Sequence, residues 1–335
     1  MKTLETFIHI EKRDQFIRDM ANTFKKSRIL FTSLELDIFT AIGNESKSCK
    51  NLAEQIAVNE KALERLLNAL ANLGFLNKKF GQFSNKVESL LFLSKESPNY
   101  LGDLMHIASL WENWSRLTDT IKIGRPPAYE ELSEKNEEWL EASILSSYRE
   151  TRIYADKIVK QIPLQNPSRM LELGAGSANF SIEFAKVYPR LTSIAYELPK
   201  IATITQKFIN RSGLSDRISA FAGNFLTDDL GQDYDFVLIS DVIAEYSFPV
   251  ILKLIKKVYD AMKYGGVIAI IDSFFNDDRT GDEEAIMKSL NMLVNTLDGD
   301  VLNDTDIWFT LREAWFTDIY KIETNFGKSI VIGFK

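Results

Sequence analysis

Two glycines, a carboxylate and an amide, each just after a short apolar run, are the residues best suited to hold a polar ligand. Leu171–Glu172–Leu173 leads into Gly174–Ala175–Gly176–Ser177–Ala178–Asn179–Phe180. Glycine at 174 and 176 lets the backbone turn tightly and come close to a ligand, at the start of a helix whose free N–H groups face it. The third small position is Ala178, so the full dinucleotide pattern is absent. Glu197, in Tyr196–Glu197–Leu198–Pro199, comes about twenty residues later, where a carboxylate accepts hydrogen bonds from ribose hydroxyls. A helix-start acid is the blander alternative. Asn224–Phe225, after Ala222–Gly223, offers an amide for the edge of an adenine and a ring for its face. Asp235 to Asp241 runs into Val242–Ile243–Ala244–Glu245–Tyr246–Ser247, where reactive groups would sit.

These residues need a frame. From Arg169 onward, apolar runs at Arg169–Leu173, Thr192–Tyr196, Ile218–Phe221, Asp235–Ser240, Gly266–Asp272 and Ile330–Phe334 alternate with helical stretches. Such alternation predicts an α/β domain, a parallel sheet with helices on both faces. Ligands of such sheets bind beyond the carboxyl ends of the strands. Residues 1–160 are helical almost throughout, which divides the chain into 1–160 and 161–335. Leu52–Ala57 and Lys61–Leu70 have apolar residues at helical spacing, and Gly74–Phe83 switches to a hairpin pattern. Helix, helix and hairpin make a winged helix. A helix from Glu137 towards Gln161 is expected to join the halves.

A winged helix invites a DNA-binding reading. Lys25 to Glu96 holds eleven basic and eight acidic residues, too balanced for a phosphate-binding face. Dimerisation is the better use, and no nucleic acid is expected. The whole chain of 335 residues has a formal charge of −7, one cysteine (Cys49) and two histidines (His9 and His106). An intramolecular disulfide, a cysteine-rich zinc site and a multi-histidine centre are excluded. The pairs Asp228–Asp229 and Asp277–Asp278 read as loop charges, so no metal is expected. No apolar run approaches the ~18–20 residues that span a bilayer, and the charged start carries no signal-peptide core. A cytoplasmic protein without a membrane partner is expected.

In order and spacing these pieces resemble class I S-adenosylmethionine-dependent methyltransferases. More narrowly, they resemble the small-molecule O-methyltransferases with an N-terminal winged-helix dimerisation domain, the plant caffeate-type and bacterial polyketide-tailoring enzymes. The resemblance covers nearly the full length. It rests on Leu34–Phe39, Leu66–Gly74, Gly124–Arg125–Pro126, the glycine turn, Glu197–Leu198–Pro199, Gly223–Asn224–Phe225, Ala261–Met262 with Gly265–Gly266, and Asn291–Met292–Leu293. It implies a Rossmann-like catalytic sheet, S-adenosyl-L-methionine as cofactor, a homodimer and a small, aromatic or polycyclic acceptor. By position it puts Gly174 and Gly176 against the amino-acid part of the cofactor, with Ser240 near that end. Glu197 falls at the ribose, and Asn224 with Phe225 at the adenine. Asn291, Met292 and Asn295 match the helix that covers the acceptor. The aromatics Trp111, Trp114, Tyr148, Phe274, Trp308 and Phe309 line an apolar cavity or simply pack the core.

One departure matters. After the fourth strand this family usually carries a His that deprotonates the acceptor, with a Trp two residues on. Here those positions hold Ala244 and Tyr246. Three explanations stay open: an acceptor already ionised or an amine; a carbon nucleophile; or another base, with Glu245, Tyr246 and His106 as candidates. O-methylation leads, with C- or N-methylation as the alternative. A fold relative with another reaction and a non-catalytic dimeric scaffold are the remaining classes.

Overall fold

A computed structural model describes residues 2–335, with side chains from Lys12 onward; Met1 and the side chains of 2–11, His9 among them, lie outside the described residues. The chain divides into two units, one ending at Ala108 and one running from Ser109 to Lys335.

The first unit begins with α1 (Lys2–Glu35), α2 (Ile38–Ile42), β1 (Lys47–Ser48), α3 (Cys49–Gln55) and α4 (Glu60–Asn72). β2 (Leu76–Lys79), β3 (Gln82–Asn85), α5 (Val87–Leu93) and α6 (Leu104–Ser109) follow. The side chains of Ser48 and Asn59 accept the Asn51 and Ala62 N–H groups and so cap α3 and α4. Helix α4 buries Leu63, Leu67 and Leu70 against Leu34, Ile38, Phe39 and Ile42, one face of the helix. The three strands pair antiparallel in the order β1-β3-β2. Phe80 (φ 50°) and Gly81 (φ 77°) make the β2–β3 turn, the two left-handed residues of a type I′ hairpin. This is the expected helix–helix–hairpin order. On α1, Phe16, Ile17, Met20 and Phe24 are exposed at helical spacing.

The second unit holds α7 (Trp111–Ser115), α8 (Leu117–Ile123), α9 (Glu137–Thr151) and α10 (Ala155–Val159). The single helix expected from Glu137 is thus two. Its break follows Thr151, whose buried hydroxyl donates to the Ser147 carbonyl and accepts from Asn179 Nδ2. Ile158, Val159 and Ile162 share a core with Met170, Phe184 and Phe236. The contacts therefore divide the chain near 108, whereas the change of sequence rhythm comes near 160.

The large sheet and its helices begin with β4 (Arg169–Leu173), α11 (Asn179–Val187), β5 (Thr192–Glu197), α12 (Pro199–Ser212) and β6 (Ile218–Ala222). Then come β7 (Tyr234–Ser240), α13 (Phe248–Ala261), β8 (Met262–Asp272), α14 (Glu283–Asn295), α15 (Asp304–Glu313), β9 (Thr317–Glu323) and β10 (Ser329–Phe334). The sheet order is β6-β5-β4-β7-β8-β10-β9. The first five are parallel. β10 runs antiparallel to both neighbours, because a short turn joins it to β9; the fully parallel sheet expected is corrected at this edge. Alternate side chains feed two cores: Leu171, Leu173, Val237 and Ile239 on one face, Met170, Phe236 and Leu238 on the other. Strand order reverses between β4 and β7, the point in such sheets beyond whose carboxyl ends ligands bind. No helix among the described residues is long and apolar enough to cross a membrane.

Candidate active site

The turn after β4 is built by conformations that exclude most side chains. Gly174 has φ 65° and Gly176 φ 53°, the left-handed region. The Gly174 N–H donates to the Tyr196 carbonyl at 3.0 Å, which fastens the turn to the end of β5. A Cβ at Gly174 would collide with Val242 Cγ2, so the loop after β7 packs directly on this glycine. A Cβ at Gly176 would meet nothing within 4 Å: there the backbone lies open. Ala178, also left-handed at φ 54°, starts α11.

Glu197 ends β5 and is 6% exposed. Its Oε1 accepts the Gly176 N–H at 2.7 Å and its Oε2 the Leu198 N–H at 3.1 Å. Burial pushes its carboxyl up to about 7 against these two hydrogen bonds, which pull it down. Each oxygen keeps lone-pair capacity, and further donors would favour the ionised form. A ribose diol supplies two such donors, and the open backbone at Gly176 leaves room beside them, so these residues fit an adenosyl cofactor. Asn224 is exposed; its Oδ1 accepts the Leu226 N–H at 3.0 Å, leaving Nδ2 for a ring edge. Phe225 is 5% exposed, edge-on to Tyr196 and Tyr246 at 6.4 and 6.2 Å. It is a core residue beneath the loop, and the exposed ring at this edge is Phe221, which the sequence reading passed over. Ser240 ends β7, half-buried.

Beyond β7, Asp241 sits at φ 56°, Ala244 is buried and Glu245 is solvent-exposed. The protein around Glu245 pushes its carboxyl up to about 7; the Glu197, Asp272 and Asp241 charges add to this and Lys288 opposes it. Tyr246 is half-buried, and burial, then Glu245 and Glu197, hold its hydroxyl well above the ordinary range, so it stays protonated. His106 belongs to the first unit; burial drops it to about 4, leaving it neutral near pH 7. Tyr129 feels Glu245 as well and was not foreseen.

Helix α14 carries the expected Asn291, Met292 and Asn295, half-buried. The two amides are already engaged: Asn291 Oδ1 accepts from Trp114 Nε1 (3.2 Å) and Asn295 Nδ2 (2.9 Å), and Asn295 Oδ1 accepts from Asn113 Nδ2 (2.8 Å). They clasp α14 to α7. Trp111, half-buried, opens α7. Tyr148 packs on Phe208 of α12, ring centroids 5.2 Å apart. Phe274 is buried, Trp308 packs on the core, and Phe309 is half exposed. Asp228 accepts the Asn224 N–H, and Asp277 and Asp278 accept the Thr305 and Thr280 N–H groups, so these acids build turns.

Residues 114–317 match the O-methyltransferase domain model and residues 18–95 the O-methyltransferase dimerisation domain model. The chain is 23% identical to 3-hydroxy-5-methyl-1-naphthoate 3-O-methyltransferase of Streptomyces sahachiroi, over 84% of this chain and 83% of that one. It is 24% identical to the S-adenosyl-L-methionine-dependent methyl transferase PigF of Serratia sp., over 93% of each. The fold matches a structure of PigF with SAH at a TM-score of 0.86, with 20% identity, covering 96% of this chain and 99% of that one. The chain therefore belongs to the O-methyltransferase family, whose methyl donor is S-adenosyl-L-methionine, and carries that family's dimerisation domain ahead of the catalytic one.

Proposed function

We propose that this methyltransferase acts on the hydroxyl of a small aromatic or polycyclic acceptor, with Glu245 as the proton acceptor in place of the missing histidine. The observation that carries the reading is the position of Glu245, next to the buried Ala244, wetted, and within electrostatic reach of Glu197. When bound, S-adenosyl-L-methionine supplies an electrophilic methyl group on a sulfonium. Gly174 and Gly176 seat its amino-acid part, Ser240 contacts that end, Glu197 takes the ribose and Asn224 the edge of the adenine. Glu245, its carboxyl pushed up to about 7, takes the proton of the acceptor hydroxyl, so that the oxygen is free to receive the methyl group. Tyr246, kept protonated, orients the acceptor oxygen. Asn291 and Asn295 hold the covering helix, with Met292, Trp111 and Tyr148 forming the apolar wall. The chain acts as a homodimer, a reading supported by the dimerisation domain and by the exposed Phe16, Ile17, Met20 and Phe24 on α1.

The test is mass spectrometry of a hydroxynaphthoate and N-acetylserotonin panel incubated with enzyme and cofactor. A gain of one methylene on oxygen is expected, with kcat/KM rising as pH climbs through about 7 and Glu245→Gln losing about a hundredfold or more. The absence of any proton acceptor at Ala244 favours a second reading, transfer to nitrogen or carbon. Methylation of an aminonaphthoate added to the panel, with Glu245→Gln unimpaired, would establish that reading instead.

A further inference from the structure

Five charged side chains that the sequence reading left unassigned meet at the carboxyl ends of β7 and β8. Lys288 Nζ lies 2.7 Å from Asp241 Oδ1 and also bonds Asp272 Oδ1. Lys328 Nζ lies 2.5 Å from Asp241 Oδ2 and 2.6 Å from Glu150 Oε1. Asp272 and Lys328 are 1% and 5% exposed, and Asp272 Oδ2 has no partner. Burying ions in this way gains little stability over apolar packing, so orientation is the better account of the cluster.

What the cluster orients is the loop that follows Asp241. Asp241 is a non-glycine residue in the left-handed region, a strained state that surrounding structure must hold. Lys288 and Lys328 grip its two oxygens, and its N–H donates to the Ile271 carbonyl at 2.9 Å. The next residue, Val242, fills the space that Gly174 leaves, and the Ala244 carbonyl fills the space left by Gly299. Lys288 shares a helix stripe with Asn291, Met292 and Asn295, at intervals of three, four and seven residues. One helix thus covers the acceptor side and grips the loop.

We propose that Lys288 is a positioning residue for methyl transfer: its ammonium, clamped between Asp241 and Asp272, sets the 242–246 loop against the glycine turn and so places Glu245, the proton acceptor. This rests on the reading of Glu245 as that acceptor. The groups that face Glu245 are Glu197 from β5, Asp241 from β7, Asp272 from β8, Lys288 from α14, its neighbour Tyr246, and Tyr129. On the Gly299 loop, Asp300 is turned away to Arg279 and Ser289. Lys288 is the cation among them.

The test needs no acceptor. The protein is labelled with carbon-13 at the glutamate carboxyls, the Glu245 signal is assigned by its loss in Glu245→Gln, and its pH midpoint is followed. Lys288→Met is expected to raise the midpoint by roughly one pH unit, and Lys288→Arg to return it. Asp241→Asn, which removes a negative charge, is expected to lower it. Opposite shifts of this kind do not arise from loosened packing alone. If Glu245→Gln removes the signal but Lys288→Met and Asp241→Asn leave the midpoint in place, the positioning role is overturned while the proton-acceptor reading stands. If no signal titrating near 7 is lost in Glu245→Gln, that reading fails, and this one with it. Should Lys288→Met not fold, the direction of the shift in Asp241→Asn decides.

Discussion

The amide of Gly176 and the carboxylate of Glu197 are joined by a hydrogen bond of 2.7 Å, so the end of β5 directly supports the turn after β4. Two elements that are 21 residues apart in the chain act as one cradle, and the state of one carboxyl governs it.

Cofactor affinity should therefore depend on pH. Glu197 titrates near 7, and a ribose diol donates to the ionised form. Affinity for S-adenosylhomocysteine is expected to strengthen about tenfold between pH 6 and pH 8, as the competent fraction grows. Glu197→Gln should flatten that dependence and weaken binding by ~1–3 kcal/mol. Calorimetric titration at three pH values checks both; equal affinity throughout would remove Glu197 from the ribose.

The two glycines should fail differently. Gly174→Ala forces a Cβ into Val242 and strains the backbone, for a loss of about 2 kcal/mol or more of stability. Gly176→Ala meets no atom and should cost only ~1 kcal/mol of stability, yet fill the open side and weaken S-adenosylhomocysteine at least about tenfold. Thermal melts alongside calorimetry separate the two, and equal behaviour would contradict the cradle.

Beneath the turn, Glu172 is 2% exposed and accepts the Ser181 N–H at 2.9 Å and the Ser181 hydroxyl. Burial raises its carboxyl from 4.5 to about 7. A group raised on folding contributes stability that is full below its unfolded value and lost as pH rises through its folded one. Glu172→Gln keeps an acceptor for Ser181 without an ionisation, so at pH 8 it should be more stable by on the order of 2 kcal/mol. Urea melts at pH 5 and pH 8 would show the gap; a variant less stable at pH 8 would refute it.

The six expected strands are all present; for β4, β5, β7, β8 and β10 burial on both faces leaves an apolar run in the sequence, whereas β6, an edge strand with mostly exposed positions, shows only as the short run Ile218–Phe221. β9 escaped notice because Thr317–Glu323 is an edge strand with exposed and half-buried positions. The pairing of the glycine turn with Glu197 was legible since it depends on short-range spacing, and the structure joins the two at 2.7 Å. The Lys288 cluster was not: Asp241 meets residues 47 and 87 positions away, and each charge alone looks like ordinary surface. Phe225 reads as ligand-facing in the sequence because an aromatic beside a site and one beneath it look alike until packing is known, and it is buried at 5% exposure.

Helix α14 is fastened at one end of its stripe by ions and at the other by amides. Neutral hydrogen bonds such as Asn113–Asn295 and Trp114–Asn291 yield at about 1 kcal/mol each, well below the cost of stripping Lys288 from two carboxylates. Admission of an acceptor past this helix would then resemble a door: the latch releases at Asn295, the pivot stays at Lys288, and the reacting loop keeps its shape while the entrance opens.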